Sequence, residues 1–312
     1  MLQGQSCLLR HQAVTRAPLA CIAVVFLLIG CGSESAPKRA PAGERSDRLV
    51  DFSKKPPYVN ALDIDPGSGE LLLTTNRGFW RIDADTDEVR RVRGTVSAGG
   101  KSSPVGTFLE LKVAGPGKLV GSGHPDDPKA LPNFLGYMES DDAGRTWRVV
   151  SRLGNADLHK IVLLHDRMYA FDAVLGAMLF SDDGGRTFTE QFTPRGLIID
   201  FEVDPEDPQR IFAATESQLF RTEDGGKGWR AVDQAEGIRL AWPAAGAFYR
   251  AEKDGTIQRS SDGSSWERVG SVPGEPYKFK ATGAETLLLA LSDGTVMETK
   301  DGGRTWTEAF RP

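Results

Sequence analysis

The chain has 312 residues, a formal net charge of −5, and 39% hydrophobic against 26% charged residues. Six Trp and fifteen Phe are ample for a sizeable core. The acidic balance excludes a nucleic-acid binder, which needs a concentrated basic face.

Arg10, His11 and Arg16 precede an apolar run from Leu19 to Gly30. If helical it is about 18 Å long, too short to span a bilayer, and it reads as a targeting segment. It ends Leu28-Ile29-Gly30-Cys31, which resembles the lipobox of bacterial lipoproteins. The resemblance implies a signal peptide over residues 1–30 and a lipid on Cys31, so that the membrane is a partner through that lipid. Cys7 and Cys21 leave with the signal, which excludes a disulfide framework. The mature chain keeps 36 basic against 43 acidic residues, since only Arg10 and Arg16 are lost. Residues 31–57, rich in Ser, Pro, Ala, Lys and Arg, read as a flexible tether.

From Tyr58 to Pro312 the chain alternates short apolar-polar strands with turn signals. The first unit reads NALDIDP, LLLTTN, GFWRIDA and EVRRVRG, and later ones include TFLELKV, HKIVLLH, LIIDFEV, RLAWPA and KFKAT as first strands. Across them an eight-residue signal recurs: SDDAGRTW from Ser140, SDDGGRTF from Ser181, TEDGGKGW from Thr222, a shortened SSDGSSW from Ser260, and TKDGGRTW from Thr299. Its aromatic ends fall at 147, 188, 229, 266 and 306, a period of about forty that marks a repeat architecture. Six such units of four strands predict an all-β, six-bladed β-propeller; seven blades remain the alternative. In each signal the Asp (Asp142, Asp183, Asp224, Asp262, Asp301) can accept hydrogen bonds from turn amides. Gly185, Gly226 and Gly303 suit positive φ. The aromatic (Trp147, Phe188, Trp229, Trp266, Trp306) can wedge between neighbouring sheets. The carboxylate spacing lacks the terminal Glu of a calcium loop, so no metal is expected there.

These copies resemble the Asp-box, or bacterial neuraminidase repeat, of sialidases, sortilin-type receptors and the photosystem II assembly propellers. The resemblance implies structural hairpins on the propeller rim, away from any active site. The stretches SGHPDDPKALPNFLGYMESDDAGRTW, NADLHKI, YAFDA and LAWPA are also similar to secreted glycosylhydrolase-like, exo-α-sialidase-like bacterial propellers. Where that group carries a His-x-His-Gly-Leu pattern, this chain has Tyr58-Val59-Asn60-Ala61-Leu62. Both histidine positions are changed, and any metal or chemistry they hold in the relatives is lost here.

In a propeller the interblade loops and the turns between second and third strands share one face around the central channel. Two long stretches on that face stand out: Gly121 to Gly136, read as a loop, and Arg93 to Val105, read as a Gly/Ser-rich interblade loop. Long ordered loops tend to carry function, and a lid or pocket wall is expected. The first stretch carries His124, Asp126, Lys129 and Asn133. Asp157, His159 and Asp172 fall at strand ends on the same face, and these seven residues form the candidate ligand site. A histidine flanked by carboxylates can serve as a general base or a metal ligand. His165, in a turn, is expected at the surface.

True sialidases need an Arg triad, a Tyr nucleophile with a Glu partner, and an acid/base Asp. Arg77, Arg195 and Arg239 share no motif, Trp80-Arg81-Ile82-Asp83 lacks the expected Pro, and no Tyr adjoins a Glu suitably. The sequence therefore indicates an exported, envelope-anchored module that binds a carbohydrate or protein ligand, without a cofactor. The alternative is an exo-acting glycoside hydrolase using carboxylates near Asp157, Asp172 and Asp200.

Overall fold

The computed structural model describes residues 58–83, 85, 86 and 88–311. The apolar run, Cys31 and the tether lie outside the described residues. Every regular element among the described residues is a β-strand.

The first sheet is an antiparallel meander of β1 (Val59–Ile64), β2 (Leu71–Thr75), β3 (Gly78–Ile82) and β4 (Val89–Val92). A second sheet of β5 (Thr95–Ala98), β6 (Lys101–Gly115), β7 (Lys118–Pro125), β8 (Tyr137–Ser140) and β9 (Thr146–Ser151) closes on itself. Four further four-stranded meanders follow. They are β10 (Leu158–Leu164), β11 (Arg167–Asp172), β12 (Ala177–Ser181) and β13 (Thr189–Gln191); β14 (Ile198–Val203), β15 (Ile211–Thr215), β16 (Leu219–Thr222) and β17 (Arg230–Asp233); β18 (Arg239–Ala241), β19 (Phe248–Ala251), β20 (Thr256–Ser260) and β21 (Glu267–Ser271); and β22 (Pro276–Ala281), β23 (Leu287–Leu291), β24 (Val296–Thr299) and β25 (Thr307–Phe310). The first strands β1, β6, β10, β14, β18 and β22 neighbour one another in that order, and β22 returns to β1. The chain is a β-propeller with five four-stranded blades and one closed five-stranded sheet.

Period-two alternation explains why the blades stack as they do. On β11, Met168 and Ala170 face the preceding sheet while Tyr169 and Phe171 face the following one. On β23, Leu287, Leu289 and Leu291 pack one way and Leu288 and Ala290 the other. A second strand buried on both faces must read as a continuous apolar run, and these do. The ring closes by packing, because Leu288, Ala290 and Val296 join Val59, Leu73, Trp80 and Ile82 in one core.

The recurring turns close within four residues. Asp142 Oδ1 accepts from Thr146 N at 2.8 Å, its Oδ2 accepts from the Thr146 hydroxyl at 2.7 Å, and Ser140 Oγ accepts from Gly144 N at 2.9 Å. Asp183 and Asp301 repeat this set with Thr187 and Thr305. The hydroxyl and amide donors of Thr187 and Thr305 hold both carboxyls far below the ordinary carboxylate range. In the shortened copy Asp262 holds only Ser264. Gly144 sits at φ 89°, and a Cβ there would meet the Phe79 ring at 2.5 Å, so glycine is required twice over.

Two expectations fail at the second sheet. Residues 93–105 are not a loop, since β5 and the start of β6 form a hairpin there and β5 also pairs in parallel with β9. β7 runs on to Pro125, so the stretch from Gly121 is strand for its first five residues and only Asp126–Gly136 is loop. Leu131 and Leu135 of that loop are buried in the core beneath it, which makes it a packed plug and not a lid. A third expectation also changes: of the five turn aromatics only Trp147 is fully buried, at 2% exposure, and Phe188, Trp229, Trp266 and Trp306 are half-buried. The segment that enters β5 covers the indole, where a Cβ on Gly94 would lie 3.0 Å from its nitrogen, and Val96 of β5 shares its core.

Candidate functional site

Each meander begins and ends on the same face of the ring, so the starts of the first strands and the β11–β12 turn surround one channel mouth. The structure brings His124, Asp157 and His159 together there. His159 Nε2 lies 3.2 Å from Asp157 Oδ2, and His124 Nε2 lies 3.8 Å from Asp157 Oδ1. His124 donates from Nδ1 to the Asn133 carbonyl at 2.7 Å, and its ring packs 5.7 Å from Phe134. The loop after β7 thus fixes the imidazole edge that faces Asp157. Asp126 and Lys129 are exposed, and no ion pair joins their side chains to this cluster. His165 is exposed, as expected, and contacts the Asp204 carbonyl.

Asp172 behaves differently from the expectation. It is 0% exposed and accepts from Asp157 N at 3.1 Å and Val174 N at 3.0 Å. Its role is to staple the ends of β10 and β11, so its removal will disturb the fold before it disturbs a ligand. Asp200 is likewise engaged, accepting from Phe201 N and Leu240 N at 2.9 Å each. Asp63 repeats that arrangement with Ile64 N and Val113 N at 3.0 Å. Each of these two carboxylates ties its own strand to the next first strand.

The channel wall itself was not legible as a site. Five first strands carry a register shift at the same height, beside Asn60, Leu109, His159, Ile199 and Tyr277. A bulge re-aims side chains at a strand end, and here it turns a ring of them toward the mouth. Past the bulges the strands present Glu110 and Lys112, Lys160, Asp200 and Glu202, and Lys278 and Lys280. Lys160 sits 2.7 Å from Asp200 and 3.1 Å from Glu202, and Lys280 sits 3.0 Å from Asp63. The available signal was a charge at every second position of an otherwise apolar first strand. In a strand covered on both faces, such charges require a third, wet surface.

A pocket of about 290 Å³ opens at the mouth between His159, Phe171, Leu197, Ile199, Arg239 and Tyr277. Of the three candidate arginines only Arg239 lines it. That guanidinium donates to the Tyr277 carbonyl at 2.6 Å and lies over the Tyr277 ring. Tyr58, Val174 and Leu197, each at least 50% exposed, surround the same face. Among the described residues no group of three or more His, Cys, Asp or Glu is placed to hold a metal ion.

Residues 193–311 match the family described as photosynthesis system II assembly factor YCF48. Over 123 residues the chain is 32% identical to the photosystem II assembly lipoprotein Ycf48 of Synechococcus sp. (strain CC9902), covering 34% of this chain and 35% of that protein. Over 131 residues it is 26% identical to the chloroplastic photosystem II stability/assembly factor HCF136 of Oryza sativa subsp. japonica, covering 38% and 32%. The chain therefore matches about a third of the length of these curated relatives. Among solved structures, an ancestral GH74 enzyme has a TM-score of 0.50 at 12% identity, covering 77% of this chain and 36% of that one; this likeness concerns the fold alone. The chain is thus a β-propeller of neuraminidase-repeat type that resembles the photosystem II assembly factors over its last three sheets.

Proposed function

We propose that this chain is a protein-binding propeller whose channel mouth receives a polypeptide, held to a membrane by a lipid on Cys31. The observation that carries the reading is the apolar mouth. Tyr58 at 50%, Val174 at 50% and Leu197 at 53% exposure crowd one end of the ring beside a concave pocket. Isolated exposed apolar residues need no explanation, but several around one cavity mark a binding surface. The similarity to proteins named as assembly factors, one of them a lipoprotein, supports the same reading. The β5–β9 sheet serves as the sixth blade of a six-bladed ring, and the five recurring turns are its Asp-boxes, structural and metal-free. A glycoside hydrolase would need two carboxyls free for proton transfer. The committed amide contacts of Asp172 and Asp200 favour binding over hydrolysis.

A photo-crosslinking residue in place of Leu197 should form a discrete polypeptide adduct in intact cells, and the Tyr58→Asp change should abolish it. The same probe at Asp141, on the opposite face, should give none. Equal adducts at both positions would sink the reading. Separately, Cys31→Ser should move the chain from the membrane fraction to the soluble exported fraction. Unchanged membrane association would remove the lipid from the proposal.

A further inference from the structure

The channel holds more positive charge than its own carboxylates neutralise. Lys160 is paired with Asp200 and Glu202, and Lys280 with Asp63. Lys112 and Lys278 line the same narrow cavity, yet among the described residues neither has a carboxylate within 4.0 Å. Arg239, also on its wall, directs its donors to the carbonyls of Gly237, Ile238 and Tyr277, which carry no formal charge. Glu110 is no counter-ion at close range; burial pushes its carboxyl toward the neutral form, and its Oε1 accepts from Leu111 N. Confined cations without partners are unfavourable, and either a lost proton or a bound anion relieves them.

The cavity's size narrows the choice. It measures about 50 Å³, and a water-sized group needs roughly 10–15 Å³ on this measure, so it takes only a few such groups. That suits a carboxylate better than a sugar ring. The cavity shares Lys160, Ile199, Asp200, Arg239 and Lys278 with the 290 Å³ mouth pocket, whose other walls include Phe171, Leu197 and Tyr277. An inorganic oxyanion would leave that apolar vestibule unused.

We infer that the channel binds a carboxylate carried on a short apolar body, the acid between Lys278 and Arg239 with Lys112 deeper in the channel, and the body against Leu197 and Tyr277. Two sources share this chemistry: a free small acid, or the terminal carboxylate of a polypeptide. The second rests on the protein-binding reading and the first does not, so the two can fail separately.

Calorimetric titration of the purified chain with 3-methylbutanoate, with N-acetyl-Ala-Leu and with the carboxamide of that dipeptide tests the inference. At least one acid should bind, and the carboxamide should bind at least about tenfold more weakly, as expected for a lost charge-assisted contact. Binding of 3-methylbutanoate assigns a free acid, and binding of the dipeptide acid alone assigns a chain terminus. Lys278→Gln and, independently, Lys112→Met should each weaken the acid with the melting temperature held, because neither lysine has an ion-pair partner to lose among the described residues. No binding of either acid, equal binding of acid and amide, or full affinity in both lysine variants would overturn the site.

Discussion

Trp147→Ala is expected to lower the unfolding free energy by about 3–5 kcal/mol, the range for deleting a fully buried large aromatic. Trp147 is 2% exposed, its ring lies 5.1 Å from that of Phe108, and its indole donates to the Gly144 carbonyl at 2.9 Å. Phe108 in turn packs edge-on against Phe79 of the first sheet, 5.7 Å away. The indole therefore joins two sheets, and little around it can collapse to fill the gap. Gly94 approaches so closely that a Cβ there would lie 3.0 Å from the indole nitrogen. Trp306→Ala should cost less, about 1–2 kcal/mol, because that ring is only half-buried. Urea unfolding midpoints at constant m-value give the comparison. Equal losses in the two variants would show that β5 does not set the burial.

Asp200→Ala is expected to cost about 3–5 kcal/mol, as breaking a buried ion pair from one side does. The change removes the acceptor for Phe201 N and Leu240 N and the nearer of the two carboxylates around Lys160. Burial alone would push the Lys160 ammonium down, but the charges of Asp200 and Glu202 outweigh it and hold its pKa well above the ordinary lysine value. A raised pKa contributes stability that is fully present below the unfolded value of about 10.4 and is lost only above it. The loss on Asp200→Ala should therefore be flat between about pH 6 and pH 9. Lys160→Met in the Asp200→Ala background should recover part of the loss, since the leftover cation goes. Additive losses in that double variant would show that the two groups are not coupled.

The chemistry of the mouth follows from the same charges. Burial, and next the charge of Lys280, pushes the Lys112 ammonium down to about 8, with Asp63 and Glu202 opposing. A group so placed is a cation poised for a counter-ion, whereas the paired lysines are already satisfied. The channel thus holds two kinds of charge: Asp63 and Asp200, which tie first strands together and pair with Lys280 and Lys160, and Lys112 and Lys278, which have no such pairing among the described residues. Neither kind overlaps the recurring turns at the other end of the blades.

Features whose partners lie close in the chain are legible from the residues alone. The turn contacts of Asp142, Asp183, Asp224 and Asp301 close within four residues, so the spelling of the motif suffices to dictate them. Alternation within a strand fixes which residues are buried on each face, and the forty-residue period follows from repeating such strands. The contact of His159 with Asp157, two residues away, is equally local. Tertiary structure decided everything that depends on which distant segment covers which. β5 reads as a Gly/Ser-rich loop until the parallel pairing of Val96 with Trp147 makes it a strand. Asp172 looks like a surface carboxylate until the amides of Asp157 and Val174 converge on it. Lys112 and Lys278 share a cavity although 166 positions separate them, because closing the ring brings all the first strands to one axis. Local hydrogen bonding is encoded residue by residue, whereas burial and charge compensation are properties of the closed ring and exist only once it forms.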